Sequence, residues 1–513
     1  MAAQLLPVDI VAPGAQGLYT EAGGKLLSDR FATKATNFQI DRNGVLASRR
    51  GWVDQTGTAI TGTPAIETLH EYRDGAGSTT MIVAWDGGIA DDIDDPETND
   101  VSGSVTDASG TWLFQNFNDK CIGFQAGQKL IIYTGTTFAT VSESSGTAPT
   151  GGVGCAAFGR IYQVGSDGTT VYYSGLLDEA DWGGSGAGLI DMNNVWTDGQ
   201  DTVTAIRGFN GDLVVFGKRH IIFITDGSGS EIGLNPANAY VGDVISGTGC
   251  VDQHTIQPIG ETEMAYLSPN GVQALSRVIQ EKSNPTGSYS EAIRSDLLTA
   301  YRAAAAGTIR SAYEPDTGQY FLTFVGDKTY VWETHKAYAD EQGRPQIPIF
   351  EWDLAPGAWS VRDNGDVLLG GTAGNIGKLS GNTDDGVDLD LLYESGWLDL
   401  GEELGNRILI LKRLGATIVT QMDGAITYKW STDFKTTFKS STKLLSADGG
   451  GATSEWGTME WGIGEWSGSI AISLFKIAAR DKGQYYKIGV QTTTDSTFAI
   501  QQLELFAKIG RLA

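Results

Sequence analysis

Residues able to do chemistry are few and scattered along this chain. The four histidines, His70, His220, His254 and His335, stand far apart. No His-x-x-x-His pair offers zinc two imidazoles on one helical face, and no Gly-x-Ser-x-Gly elbow presents a nucleophilic serine. A Gly-x-x-x-x-Gly-Lys-Ser/Thr loop, whose amides would cradle nucleotide phosphates, is also missing. Cys121, Cys155 and Cys250 fit neither a disulfide framework nor a zinc pattern and read as buried thiols. No catalytic residue, cofactor or metal is assigned from these patterns. Carboxylates are plentiful, 62 in all, and pairs suited to glycoside hydrolysis would arise among them by proximity alone. A carbohydrate-binding or glycan-cleaving role therefore stays open as the alternative reading.

Two stretches concentrate candidate function. Asp91, Asp92, Asp94, Asp95 and Glu97 crowd one segment. Hard cations favour such oxygen ligands, but the Asp-x-Asp-x-Asp-Gly spacing of a calcium loop is absent, so the segment reads as a solvated acidic loop. The second stretch, Ser454 to Ser467, places Trp456, Trp461 and Trp466 every five residues among glycines and glutamates. Rings so spaced could stack sugars or bases, yet the flanking acids oppose nucleic acid. Tryptophans packed inward or at a subunit contact fit better.

Charge narrows the partners. The formal net charge is −26, which gives no general positive field to attract nucleic acid. A wall of that sign would, however, let a polyanion slide past without sticking. No apolar window approaches the ~18 residues of a membrane-spanning helix, and Met1 to Pro7 lacks the basic, then apolar, pattern of a signal peptide.

The elements that must hold these residues are β-strands. Leu213 to Phe216 and Ile221 to Thr225 are apolar runs around a polar turn, a hairpin that is unstable alone. Similar units centre on Gly87, Gly127, Gly168, Lys218, Gly271, Asp327 and Gly374, at intervals of about 40 to 56 residues. The spacing predicts an all-β chain with a β-propeller of six or seven blades over 59–390. One helical insertion is expected at 280–307, capped by Ser288 or Ser290 and packed on its own blade. Longer strands over 391–513 predict a β-sandwich-like domain, and 1–58 an N-terminal arm with an Asn43-Gly44 hairpin. Within the C-terminal part, Ser431 to Phe438 resembles the Asp-box turn of sialidase-like propellers, with Lys435 where that motif has glycine; the box is a structural turn, not an active site.

Pro13-Gly14, Ala35-Thr36-Asn37-Phe38, Asp41-Arg42-Asn43-Gly44-Val45-Leu46 and Arg49-Arg50-Gly51-Trp52 follow one another near the N-terminus. With Phe209 to Gly217, Met264 to Val272 and Tyr289 to Leu297 behind them, this order resembles the tail nozzle and tail hub proteins of short-tailed bacteriophages. The resemblance implies a structural, non-enzymatic virion protein, a homo-hexamer ringed beneath the portal's adaptor and near the tail fibres or spikes. Viral double-stranded DNA would pass through the ring without specific binding, and assembly into the tail would follow synthesis in the host cytoplasm. On that reading Asp91, Asp92, Asp94, Asp95 and Glu97 are candidates for the channel rim, and Trp456, Trp461 and Trp466 for subunit contacts.

Overall fold

A computed structural model describes residues 5–21, 27–105, 111–197, 200–226, 234–260, 263–281, 288–339, 343, 345–399, 407–420, 424–445 and 471–512. The chain divides into two compact units. One combines residues 54–327 and 355–378, the other residues 1–53, 328–354 and 379–513. Among the described residues no helix is long and apolar enough to cross a membrane.

The first unit is a β-propeller. Seven successive antiparallel sheets begin with the strands Ile66–Arg73, Leu113–Phe117, Gly154–Ala157, Val203–Phe209, Gln257–Ile259, Ile309–Glu314 and Ala358–Val361. Each of these first strands packs on the next around the ring, the fourth meeting the fifth through the turn Gln253–Thr255, and the seventh packs back on the first. Closure is also made by hydrogen bonds: Gln55 N–H donates to Ile376 O at 2.8 Å and Ile376 N–H to Thr56 Oγ1 at 2.7 Å. Residues from before the first sheet thus sit beside the last.

Strand alternation explains why the sheets stack sideways. In Thr79–Trp85, Met81, Val83 and Trp85 join a core with Ala358, Leu368 and Ile376 of the seventh sheet. The intervening Ile82 and Ala84 face the other way, into a core with Trp112, Phe114 and Tyr133 of the second. With a period of two, both faces are apolar and each needs a neighbour. Full burial contributes roughly 1.5–3 kcal/mol per large apolar side chain, so no sheet is stable apart from the ring.

The expected hairpins are present as antiparallel pairs around Gly87, Gly127, Gly168, Lys218, Gly271 and Gly374. The strands expected around Asp327 form as Gln319–Phe324 and Lys328–Glu333, but the division between the units falls at their turn. The helical insertion is two pieces, Leu275–Glu281 and Arg294–Ala303, the second preceded by a 3-10 turn at Glu291–Ile293. Ser290 makes no side-chain cap, contrary to expectation. Its Oγ instead accepts the Val272 N–H at 3.0 Å, beside Gly271, where a Cβ would lie 2.3 Å from that oxygen. Leu297 is fully buried, and the second helix packs on the fifth sheet's Gly271–Ala274, its own blade.

The second unit is a β-sandwich. One sheet runs Phe38–Ile40, Leu46–Ser48, Phe498–Leu512, Arg407–Thr420, Ala471–Gly483, with Leu6–Val11 also on Phe498–Leu512. The other runs Lys328–Glu333, Ile349–Trp352, Ala32–Thr36, Val387–Ser395, Tyr485–Thr494, Gly424–Thr432, Lys439–Leu445. Tyr486 spans the two, donating from its hydroxyl to Leu409 O at 2.7 Å. The division differs from the expected cuts at 58 and 390. Short N-terminal strands cannot satisfy their backbone alone, and they find partners in strands hundreds of residues away.

A buried guanidinium fixes that arrangement. Arg49 Nε donates to Asn37 Oδ1 at 2.9 Å, Nη1 to Asp384 Oδ1 at 2.8 Å and to Arg50 O at 2.9 Å, and Nη2 to Asp384 Oδ2 at 2.6 Å and Asp353 Oδ1 at 3.1 Å. Asn37, at φ 63°, donates in turn to Asp390 O at 2.8 Å. Next along, Gly51 admits no side chain, since a Cβ there would lie 2.0 Å from Thr383 O.

Candidate functional site

Seven first strands around one axis leave a space between their starting ends. Ala65, Gly152, Ala306, Gly307 and Gly357 are small, and the chamber they help line has a volume of about 600 Å³. It narrows to a middle chamber of about 140 Å³ beside Trp112, His70, Arg207 and Trp359. Glu67, Gln253, His254 and Arg310 line both. Beyond Arg207 a third space of about 320 Å³ opens next to Ala157, Phe158 and Gly208 to Gly211. Polar and charged side chains therefore line the axis, while the apolar ones fill the seams between sheets.

Local structure sets each of these groups. Asp252 caps the turn Gln253–Thr255, its Oδ1 accepting the His254 N–H at 2.8 Å and His254 Nδ1 at 2.9 Å. That bond turns His254 Nε2 away from the aspartate, and the nitrogen is buried with no partner among the described residues. Gln253, 3% exposed, donates through Nε2 to Gly154 O and to Ile206 O, tying the third and fourth sheets to the fifth. Its Oε1 is left unpaired. Arg310, 7% exposed, donates from Nη1 to Gly307 O at 2.6 Å and from Nη2 to Thr111 Oγ1 at 2.6 Å; its Nε is also unpaired. The Arg207 side chain, on the strand paired with Asp212–Gly217, has no carboxylate partner among the described residues.

The electrostatics follow from enclosure. Burial lowers the pKa of Arg207, with Cys155 and Cys250 the groups opposing that shift. Burial likewise lowers Arg310, which Asp252 and Glu67 partly offset. For Asp252 burial works to raise the carboxyl, but the hydrogen bonds and charge of His254, with Arg310 behind, outweigh it and hold the group below its ordinary range. Burial lowers His70 despite its hydrogen bond with Asn116, Nε2 to Oδ1 at 3.1 Å, and favours the neutral ring.

The acidic segment has its own geometry on the first sheet. Asp91 accepts the Tyr133 hydroxyl at 2.6 Å, Asp92 the Asp94 N–H at 2.9 Å and Asp95 the Thr98 N–H at 3.4 Å. Glu97 accepts from the Thr61 N–H at 3.0 Å and hydroxyl at 2.8 Å. Asp92 and Asp95 close turns, Asp91 and Glu97 tie the segment to Tyr133 and Thr61, and none of them lines the axial chambers. No cluster of three or more His, Cys, Asp or Glu able to hold a metal occurs among the described residues. Trp456, Trp461 and Trp466 lie outside the described residues.

Two features of the sandwich were legible in part. The Asp-box-like turn lies between Gly424–Thr432 and Lys439–Leu445, with Asp433 at φ 49° and Phe434 at φ 61°. Asp433 Oδ1 accepts the Gln484 and Tyr485 N–H groups at 2.8 and 3.2 Å, a structural use. Phe434, half exposed, meets Trp397 at 5.0 Å and Tyr485 at 4.9 Å between ring centroids. This aromatic trio escaped notice because its members are 37 and 51 residues apart in sequence. The axial group was missed for a similar reason. Glu67, His254 and Arg310 occupy comparable places near the start of a first strand, a signal that aligning the repeats by their hairpin centres would reveal, whereas Arg207 is fifth in its strand and falls outside that register.

No family model and no curated protein matches the chain. Solved structures do. The extracellular domain of the one component system BT4673 from B. thetaiotaomicron is similar with a TM-score of 0.41 at 9% identity, over 82% of this chain and 59% of that one. BamB from Moraxella catarrhalis gives 0.38 at 11% identity, over 74% and 98%. The WD40 beta propeller domain of Doa1 gives 0.35 at 9% identity, over 64% and 96%.

Proposed function

We propose that this chain is a structural subunit of a short-tailed bacteriophage tail, a nozzle or hub protein that forms a ring beneath the portal's adaptor and conducts the genome. The observation that carries the reading is the use made of the resembling segments. Asn37 and Arg49, from two of the N-terminal motifs, meet in one buried network, and Gly51 touches Thr383. Gly271 and Ser290, from two of the later motifs, meet as well. Segments joined in this way are structural parts of their units, which supports reading the resemblance as one of architecture. A formal charge of −26 per chain suits a conduit for a polyanion, provided acids face the bore, because screening limits each charge to about 8 Å at physiological salt. The role requires no catalysis. Mass photometry of the purified chain, alone and with the portal and adaptor ring of its virion, tests it. Six copies per ring are expected; a chain that stays monomeric with those partners present would remove the proposal.

The trio of half-exposed Phe434 with the partly buried Trp397 and Tyr485 favours a second reading, carbohydrate binding by the tail component, since open aromatic faces suit sugar rings. Binding on a glycan array that disappears in Phe434→Ser supports it; an unchanged array profile rejects it.

A further inference from the structure

We propose that the axial cavity of the propeller is a binding site for a small hydroxylated organic oxyanion, a carboxylate or phosphate ester whose charged group sits on Arg207. This goes beyond the tail reading and does not depend on it.

Unpaired donors gather at the middle chamber. Arg207 faces both the middle chamber and the space beyond it, and no described carboxylate pairs with it. Arg310 Nε–H and the Trp112 indole N–H are buried and unpaired beside the same chamber; His254 Nε2, also unpaired, is an acceptor while Nδ1–H donates to Asp252. Trp112 is fully buried and Arg310 more than nine-tenths so. Arg207 is partly buried and has no carboxylate partner, and buried donors left without acceptors, such as those of Trp112 and Arg310, are costly. An oxyanion would satisfy them together, and the planar fork of arginine matches carboxylate and phosphate oxygens in pairs.

Size and lining describe the rest of the ligand. The middle chamber, about 140 Å³, suits a carboxylate or phosphate group, and the adjoining chamber, about 600 Å³, suits a body of sugar size. Thr111, Thr204 and Thr308 line that larger space; the hydroxyls of Thr204 and Thr308 donate to Cys250 O and Ala305 O and keep lone pairs for a hydroxylated body, and Thr111 Oγ1, which accepts from Arg310, keeps its proton. The glycines and alanines at its mouth leave it open. Asp252 lines only the outer chamber, but Glu67 lines the middle one as well, so a negative head there must sit on the Arg207 side; neither acid lines the space beyond Arg207.

Isothermal titration of the full chain with glucuronate, glucose 6-phosphate, inorganic phosphate and glucose tests the site, with thermal melting alongside. At least one of the two organic anions is expected to bind saturably with a Kd of 1 mM or tighter, at least tenfold tighter than glucose; their order distinguishes carboxylate from phosphate. Binding of inorganic phosphate as tightly as glucose 6-phosphate would reduce the site to an adventitious ion only. Arg207→Gln should weaken the organic anion at least tenfold, Arg207→Lys by less, and the exposed Arg73→Gln not at all. Without ligand, Arg207→Gln should melt at or above the wild-type temperature, because a partly buried charge without a carboxylate partner has been removed. Absence of saturable binding below 10 mM, equal binding by Arg207→Gln, or a destabilised Arg207→Gln each overturns the proposal.

Discussion

Replacing Arg49 by methionine keeps the length and apolar character of the stem while removing five hydrogen bonds. The side chain is wholly buried, whereas Asp384 retains 23% and Asp353 54% of its side-chain exposure. Asp353 can therefore turn to water, and Asp384, gripped by both terminal nitrogens, is the group left without compensation. Breaking a buried ion pair by deleting one partner typically costs about 3–5 kcal/mol. The partial exposure of both aspartates puts the expected loss at the lower end, about 3 kcal/mol. Asp384→Asn alone should cost about as much, and the double variant less than the sum, because each single change already forfeits the shared interaction. Hydrogen exchange read by mass spectrometry suits the question, since it reports the sandwich strands separately from the propeller. In Arg49→Met, protection should fall in 32–54, 349–353 and 383–395, while 203–226 in the propeller stays protected. A loss below 1 kcal/mol, or additive single variants, would refute the idea that this guanidinium fastens the N-terminal strands.

Other consequences follow from burial and close approach. Burial pushes the Cys155 and Cys250 thiols up to about 12 and raises Cys121 as well, so none should react with a thiol reagent at pH 8 until the chain is unfolded in urea. Asp201 accepts from the N–H groups of Thr202, Lys218 and Arg219 and from His220 Nδ1. Burial works to raise its carboxyl, and these bonds hold it below its ordinary range. A depressed carboxyl contributes stability that is complete above its unfolded pKa, about 3.9, and is lost as pH falls through the folded value. Asp201→Asn should thus lower stability by about 1–3 kcal/mol at pH 7 and by progressively less toward pH 2, as measured by urea titration. Gly51→Ala forces a Cβ onto the Thr383 carbonyl and should cost at least 2 kcal/mol, whereas Gly44→Ala, in open space at φ 76°, should cost about 1.

The propeller was readable because its information is local. A strand such as Thr79–Trp85 carries its own period, and the turn after it supplies the next strand, so hairpin centres could be placed from neighbours in the chain. What joins distant segments was not readable. Nothing around Leu6–Val11 announces that it pairs with Phe498–Leu512, and Arg49 gives no hint of Asp384. The serines at 288 and 290 show the same limit at close range. Ser290 is a fitting cap by type, yet its hydroxyl is engaged by Val272, whose position depends on the fifth sheet. The axial site sits between these cases: Glu67 and Arg310 hold the same place in their strands, Arg207 a later one, and their convergence exists only once the ring has closed.

The acidic segment shows how charge and structure can be separated in the proposed conduit. Its carboxylates hold turns: Asp92 serves Asp94, Asp95 serves Thr98, and Asp100 accepts the Ser102 N–H at 2.8 Å. Asparagine caps backbone N–H groups about as well as aspartate does, whereas alanine cannot and costs about 0.5–2 kcal/mol at a cap. Asp92→Asn with Asp95→Asn should therefore leave the melting temperature within about 1 °C of wild type while removing two formal negative charges per chain. The alanine pair should lower stability by about 1–3 kcal/mol. If the segment borders a DNA passage, virions carrying the asparagine pair should release their genome more slowly at low salt, and the difference should vanish above roughly 0.5 M, where screening shortens to a few ångströms. An asparagine pair with wild-type release at every salt concentration would show that these charges do not face the bore, and the acids that matter would have to be sought elsewhere in the chain.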